Sequence, residues 1–157
     1  MATLYLMVGL PCSGKTTRAK ELETKVSALR LTPDEWHVNL FGHDIFDPEH
    51  DKRHNLIEHM LWQIAARVLS LGTNVILDFG FWAKEERDDF RLRARELGAR
   101  SEIVFMDIGE DELISRMKAR NENLTNTVHY IPEEMMKIWI QSFQRPDEDE
   151  LLPREIV

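Results

Sequence analysis

The chain alternates short, almost continuous apolar runs with longer segments whose apolar residues recur at helical spacing. Thr3 to Val8 (TLYLMV) is the first such run and ends at a glycine. It suits a strand buried on both faces of a parallel sheet. Ser27 to Leu31, Asn74 to Asp78 (NVILD) and Ser101 to Met106 (SEIVFM) read as further strands. Lys15 to Lys25, Ala83 to Leu97 and Glu110 to Arg120 read as helices between them. Another helix starts at Thr32, with Thr32 as N-cap, Pro33 at the first helical position and Glu35 at the third. From Pro48 to Leu71, the residues Leu56, Ile57, Met60, Leu61, Ile64, Ala65, Val68 and Leu69 form a helical stripe, stopped by Gly72. Asn121 to Tyr130 is polar and aperiodic, which predicts a loop or lid. Pro132 to Phe143 returns to helix, with Met136, Trp139, Ile140 and Phe143 on one face. A last edge strand is expected at Glu155 to Val157.

Strands that alternate with helices predict an α/β fold: a parallel sheet of four to five strands between two helical layers, joined by right-handed crossovers. The 157 residues suffice for one domain, residues 1–157, with a helical lid at about 116–131. Ligands of such sheets sit at the carboxyl ends of the strands. Composition changes this picture little, at 43% hydrophobic and 31% charged. The lone cysteine, Cys12, forms no internal disulfide and fits a reducing compartment. No apolar run reaches the roughly 20 residues of a membrane helix. The apolar N-terminus is short and lacks a basic flank, so it reads as a strand rather than a signal peptide. The expectation is a cytoplasmic protein with no membrane partner. The formal net charge of −8 disfavours a long nucleic-acid substrate, which binds mainly through neutralised phosphates.

Candidate chemistry begins between the first strand and helix. Residues 9–16 read G-L-P-C-S-G-K-T, with Gly9, Gly14, Lys15 and Thr16 at the fixed positions of a phosphate-binding P-loop. By chance the motif occurs in about one in two hundred chains of this length. The required strand before it and helix after it make coincidence less tenable still. The backbone of Gly9, Leu10, Pro11, Cys12, Ser13, Gly14, Lys15, Thr16 and Thr17 is the candidate nucleotide cradle. Lys15 reaches the β- and γ-phosphates, and the Thr16 hydroxyl is a ligand for Mg²⁺. The expected ligands are therefore ATP and Mg²⁺. Cys12 is either a reactive thiol or, as favoured here, a small residue that fits the loop.

Three other groups carry candidate roles. Asp34 follows the second strand, where a kinase wants a carboxylate to accept the acceptor's proton; Glu35 is its substitute. Asp34 could instead simply support the helix start. Asp78 ends the NVILD strand, where an acid holds Mg²⁺ or binds substrate, or else serves as a turn residue. Phe79, Phe81 and Trp82 follow, as an acceptor wall or as core. Arg116 and Arg120 lie four apart on one helix and face the same side. They lead into the lid, placed to neutralise charge on a transferred phosphoryl group, or else form a solvated basic face. Arg53 is a candidate for acceptor contacts. The six histidines lack a recognised metal-site motif, although His50 and His54 have helical ligand spacing. Solvated surface histidines are the favoured reading.

The order G-L-P-C-S-G-K-T-T, T-P-D-E-W, N-V-I-L-D and R-M-K-A-R-N resembles small P-loop kinases. This group includes the kinase domain of phage polynucleotide kinase, the zeta-toxin kinases and chloramphenicol phosphotransferase. The resemblance covers nearly the whole chain. It implies ATP-dependent phosphorylation of a hydroxyl, with Asp34 matching the family's base and Arg116 and Arg120 its phosphate-binding arginines. It also implies that Gln144 to Pro146 lie by the adenine. The polynucleotide kinases carry a basic residue before the aspartate, and here Pro33 stands in its place. The expected function is a kinase with ATP as donor and a small-molecule hydroxyl as acceptor. The rivals are a polynucleotide 5′-hydroxyl kinase and a nucleotide-dependent switch or ATPase.

Overall fold

A computed structural model describes residues 1–124 and 129–153. Its strands are β1 (Thr3–Val8), β2 (Ala28–Leu31), β3 (Asn74–Gly80) and β4 (Arg100–Phe105). All are parallel, in the order β2-β3-β1-β4. The helices are α1 (Lys15–Val26), α2 (Pro33–Phe41), α3 (His50–Ser70), α4 (Lys84–Glu96), α5 (Glu110–Glu122), α6 (Glu133–Ser142) and α7 (Glu148–Leu151). The expected edge strand at Glu155 to Val157 lies outside the described residues. No described helix is long and apolar enough to cross a membrane.

Alternation along the strands explains the layers. Leu4, Leu6 and Val8 of β1, with Val75 and Leu77 of β3, face one side. There they meet Ile57, Leu61, Ala65 and Leu69 of α3 and Phe90 and Ala94 of α4. Met7 and Ile76 face the other side and meet Ala19 and Leu22 of α1. Successive strand side chains point to opposite faces, so a strand covered on both must be apolar at nearly every position. The α3 stripe is broader in sequence than in burial, because Leu56, Met60 and Ile64 are exposed. Asn74 joins three elements: its Oδ1 accepts from Thr3 N and its Nδ2 donates to Val26 O.

Two polar features differ from expectation. Asn121 belongs to α5, which runs on to Glu122, rather than to the lid loop. Its side chain bonds both N and O of Ile131, at 3.0 and 2.6 Å, and so ties the end of α5 to the segment before α6. Residues 125–128 of the expected lid lie outside the described residues. The charged helix α4 buries two arginines. Arg87 pairs with Glu150 of α7 at 2.8 Å, and both side chains are fully buried. Arg87 Nη1 also donates to the carbonyls of Phe81, Trp82 and Gln144. Arg91 donates to Ser101 Oγ and Glu150 O. These bonds fasten α7, which opens on a capping box of Asp147 and Glu150, across α4 and β4.

Candidate functional site

In a parallel sheet the carboxyl ends of all strands lie along one edge. Here that edge brings together the loop after β1, Thr32 to Asp34 after β2, and Asp78 near the end of β3. The phosphate-binding loop has the backbone its sequence predicts. Gly14 caps α1 at φ 89°, and Cys12 also lies in the left-handed region at φ 67°. Left-handed residues in such a turn aim successive N–H groups into one concavity, at the positive end of α1. A Cβ on Gly9 would stand 2.7 Å from Ser13 Oγ, so only glycine fits there without displacement.

The catalytic candidates occupy different settings. Lys15 Nζ donates to Leu10 O at 3.4 Å, across the loop. Thr16 Oγ1 donates to Asp78 Oδ2 at 2.6 Å, which joins the loop to β3. Thr32 Oγ1 donates to the same oxygen at 3.0 Å and itself accepts from Arg30 Nη1 at 2.6 Å. Thr32 therefore stands at the N-cap position of α2 without a side-chain cap bond. Glu35 does not reach back to complete a capping box, since its carboxylate binds Arg30 at 3.2 Å. Sequence reasoning named Thr16 and Asp78, but it missed Arg30 and read Thr32 only as a cap.

Asp34, at the start of α2, carries an exposed carboxylate 3.9 Å from His54 Nδ1. Thr17 is exposed on α1. Arg53, on α3, is tied to Asp47 at 3.1 Å and lies over the Phe41 ring. Phe81 belongs to the core, where it packs on Phe79 and Phe90. Trp82 is half-buried against Trp139.

The α5 arginines converge on the phosphate-binding loop from more than a hundred residues away. Arg116 Nη1 donates to Cys12 O at 3.5 Å, and Arg120 Nη1 to Cys12 Sγ at 3.4 Å. Met117, between them, packs with Cys12, Ile131 and Met136, so a small apolar cluster joins loop, α5 and α6. Burial pushes the Cys12 thiol up, against the pull of Arg120, Lys15 and Arg116. A thiol held protonated and covered is a poor nucleophile.

Beside the loop lies a cavity of about 190 Å³, lined by Leu10, Ser13, the segment 105–110, Leu113, Ile140, Phe143 and Arg145. Of the expected base-contacting residues, Arg145 lines it and pairs with Asp107 at 2.8 Å. Gln144 is instead engaged with Trp82 and Lys84.

The donor set fits Mg²⁺. Thr16 and Asp78 offer hard oxygens, and Asp78 Oδ1 is buried without a hydrogen-bond partner. Ser13 Oγ, in the loop itself, is also buried and unpartnered. Both atoms suit a ligand that brings oxygens and a cation into the loop.

Four of the histidines are withdrawn from solvent to some degree, whereas His59 is exposed as expected. His37 and His129 are buried, and His50 and His54 are half-buried. Burial and the neighbouring rings of His50, His129 and His54 push His37 down to about 4. Burial also lowers His50 and His129. His54 is raised: burial opposes its charge, but the Glu58 bond and the Asp34 carboxylate outweigh that. The helical periodicity of α3 gave no sign that α2 would bring His37 against His50 and His54.

A phosphate-binding loop between β1 and α1, facing an acid on the adjacent strand β3, defines a P-loop nucleotide-binding protein of the α/β class. The chain belongs to the AAA domain family, which it matches over residues 4–146. No curated protein matches it in sequence. Its fold is similar to that of a chain in the Pnkp1/Rnl/Hen1 RNA repair complex, with TM-score 0.77 and 23% identity over 99% of this chain. This chain spans about half of that one, 49% of its length. It is also similar to Kti12 from Chaetomium thermophilum, solved in complex with ADP-AlF3, with TM-score 0.71 and 19% identity over 92% of this chain and 81% of the other. A gluconokinase from Sinorhizobium meliloti 1021 gives TM-score 0.62 and 17% identity over 96% of this chain and 78% of the other. At these identities the likeness is one of fold.

Proposed function

We propose that the chain is an ATP-dependent kinase that transfers the γ-phosphoryl group of ATP to a hydroxyl of a small molecule. The observation that carries this reading is the approach of Arg116 and Arg120 to Cys12 in the phosphate-binding loop. Arginines so placed neutralise charge on a phosphoryl group in flight, an effect worth about 10³–10⁵ in rate. Lys15 binds the β- and γ-phosphates, and the loop amides hold the rest. Thr16 and Asp78 would hold Mg²⁺, which supplies further charge neutralisation when bound. The exposed carboxylate of Asp34 orients the acceptor hydroxyl and takes its proton as the oxygen bonds to phosphorus. Glu35 is a weaker candidate for this role, because Arg30 already holds it. The 190 Å³ cavity beside the loop, with Arg145 at its wall, suits the adenine.

A second reading, a polynucleotide 5′-hydroxyl as acceptor, is favoured by the likeness to a chain of an RNA repair complex. The charge of −8 and Pro33 before Asp34 weigh against it.

Label transfer from γ-labelled ATP, to a metabolite panel and to a 5′-hydroxyl oligonucleotide in parallel, separates the two readings. Lys15→Ala is expected to abolish transfer. Asp34→Asn is expected to lower turnover by about 10²–10⁴-fold while ATP binding stays near normal. Wild-type turnover in Asp34→Asn would remove the base assignment. ATP hydrolysis untouched by Asp34→Asn, with no acceptor labelled, would replace the kinase with a nucleotide switch or ATPase.

A further inference from the structure

Four histidines from separate parts of the chain meet beside α2. His37 comes from α2, His50 and His54 from the start of α3, and His129 from the segment before α6. The His37 and His50 rings stack with centroids 4.4 Å apart, and His129 stands edge-on to both at 5.2 Å. Packing alone does not account for their polar atoms. The Nδ1 atoms of His37, His50 and His54 and the Nε2 of His129 are all buried without a hydrogen-bond partner. Buried imidazole nitrogens ordinarily find partners, so four orphans in one cluster call for a ligand.

Hydrogen bonds fix what two of these nitrogens, those of His54 and His129, offer. His54 Nε2 lies 3.1 Å from Glu58 Oε1. A carboxylate only accepts, so Nε2 carries the proton, and in the neutral ring Nδ1, 3.9 Å from Asp34 Oδ1, presents a lone pair. His129 Nδ1 lies 3.3 Å from the His43 carbonyl, which likewise leaves Nε2 as a lone pair. A carboxylate or carbonyl behind a histidine is the usual outer support of a metal ligand. One ring nitrogen from each of His37, His50 and His54 lies within 4.8 Å of one from each of the others. Tetrahedral ligands about 2.0–2.1 Å from Zn²⁺ stand roughly 3.4 Å apart, so modest rotation of the half-buried His50 and His54 rings closes the site.

We propose that His37, His50 and His54 bind a divalent transition-metal ion of the Zn²⁺ class, with His129 at the edge of the site. Imidazole nitrogens select such ions over Mg²⁺, which wants oxygen. The site is separate from the Thr16–Asp78 oxygens and does not depend on the kinase reading. The bound ion would tie α2 and α3 together beside Asp34.

The test uses the tag-free full chain, stripped with EDTA and free of nucleotide. Zn²⁺ is titrated by calorimetry, and Co²⁺ by its visible absorption. The expected result is one equivalent bound at micromolar or tighter affinity, with the intense Co²⁺ bands of four-coordinate geometry. The His50→Gln/His54→Gln double variant should weaken binding at least about 100-fold, whereas Asp78→Asn should leave it unchanged. In the wild-type chain, histidine ring-nitrogen NMR should show Zn²⁺ shifting His37, His50 and His54, a readout that needs no variant to fold. Zn²⁺ that fails to bind, that leaves those three rings unmoved, or that is lost with Asp78→Asn instead of the histidine pair would overturn the proposal.

Discussion

Thr16 Oγ1 lies 2.6 Å from Asp78 Oδ2, so a residue of the phosphate-binding loop and an acid 62 positions later share one short hydrogen bond. The other oxygen of Asp78 is buried and unpartnered. Asp78→Asn keeps the shape and one acceptor, and the fold should survive it. The change removes the charge that attracts a cation. We expect Mg²⁺-dependent tightening of ATP binding to weaken by roughly 10–100-fold, the scale on which residues supporting a metal act. Affinity for ATP in EDTA should hardly change. Calorimetric titration with and without Mg²⁺ checks this, and an equal loss in both would mean that Asp78 serves the loop's shape rather than the cation.

Arg116 and Arg120 approach the same loop residue but are held differently. Arg116 is exposed and paired with Glu112 at 2.9 Å, whereas Arg120 is half-buried against the Cys12 thiol. Replacing Arg120 with Ala should lower the rate of transfer by about 10³-fold or more. Arg116→Ala should cost less, because its guanidinium is shared with a carboxylate. Steady-state rates at saturating ATP distinguish the two, and an Arg116 variant more damaged than the Arg120 variant would reverse the assignment.

What could be read in advance was what depends on local pattern. Two-sided apolar runs marked β1 and β3, and eight loop positions marked the phosphate cradle before any geometry was known. What could not be read depends on distant partners. Thr32 looked like a helix cap because nothing local showed that Asp78 would compete for its hydroxyl. Asn121 looked like loop because its partner, Ile131, lies 10 residues on. His37 looked solvated because its neighbours His50 and His54 sit on another helix. Nothing local marked Arg87 as buried, because burial of an arginine needs a buried carboxylate, here 63 residues away.

That buried pair has a cost when broken. Arg87 and Glu150 are both withdrawn from water, so removing one partner leaves the other charged and unpaired. Arg87→Met should destabilise the chain by about 3–5 kcal/mol. Adding Glu150→Leu removes the stranded carboxylate and should recover part of the loss. Recovery stays incomplete, because three backbone carbonyls also lose their donor. Urea unfolding of wild type, single and double variants measures this; a double variant no more stable than the single would show that Glu150 is not the group left stranded.

Glu86, on the same helix, makes stability depend on pH. Burial, with the carboxylates of Glu58 and Asp89 adding to it against Arg87, pushes Glu86 up to about 7 from an ordinary value of 4.5. A raised value means that the folded chain keeps a proton which the unfolded chain releases. Its stabilising effect is therefore full below the unfolded value, declines as pH rises, and is gone above the folded value. Glu86→Gln removes the charge at all pH values. The variant should match wild type near pH 4 and exceed it near pH 8. The side chain is only half-buried, so solvent screening holds the gain to the order of 1 kcal/mol, roughly 2–4 °C in Tm for a chain of this size. Thermal unfolding across this range reads the difference directly. A gain equally large near pH 4 would trace the effect to packing, and no gain near pH 8 would mean that Glu86 ionises at an ordinary value in the folded chain.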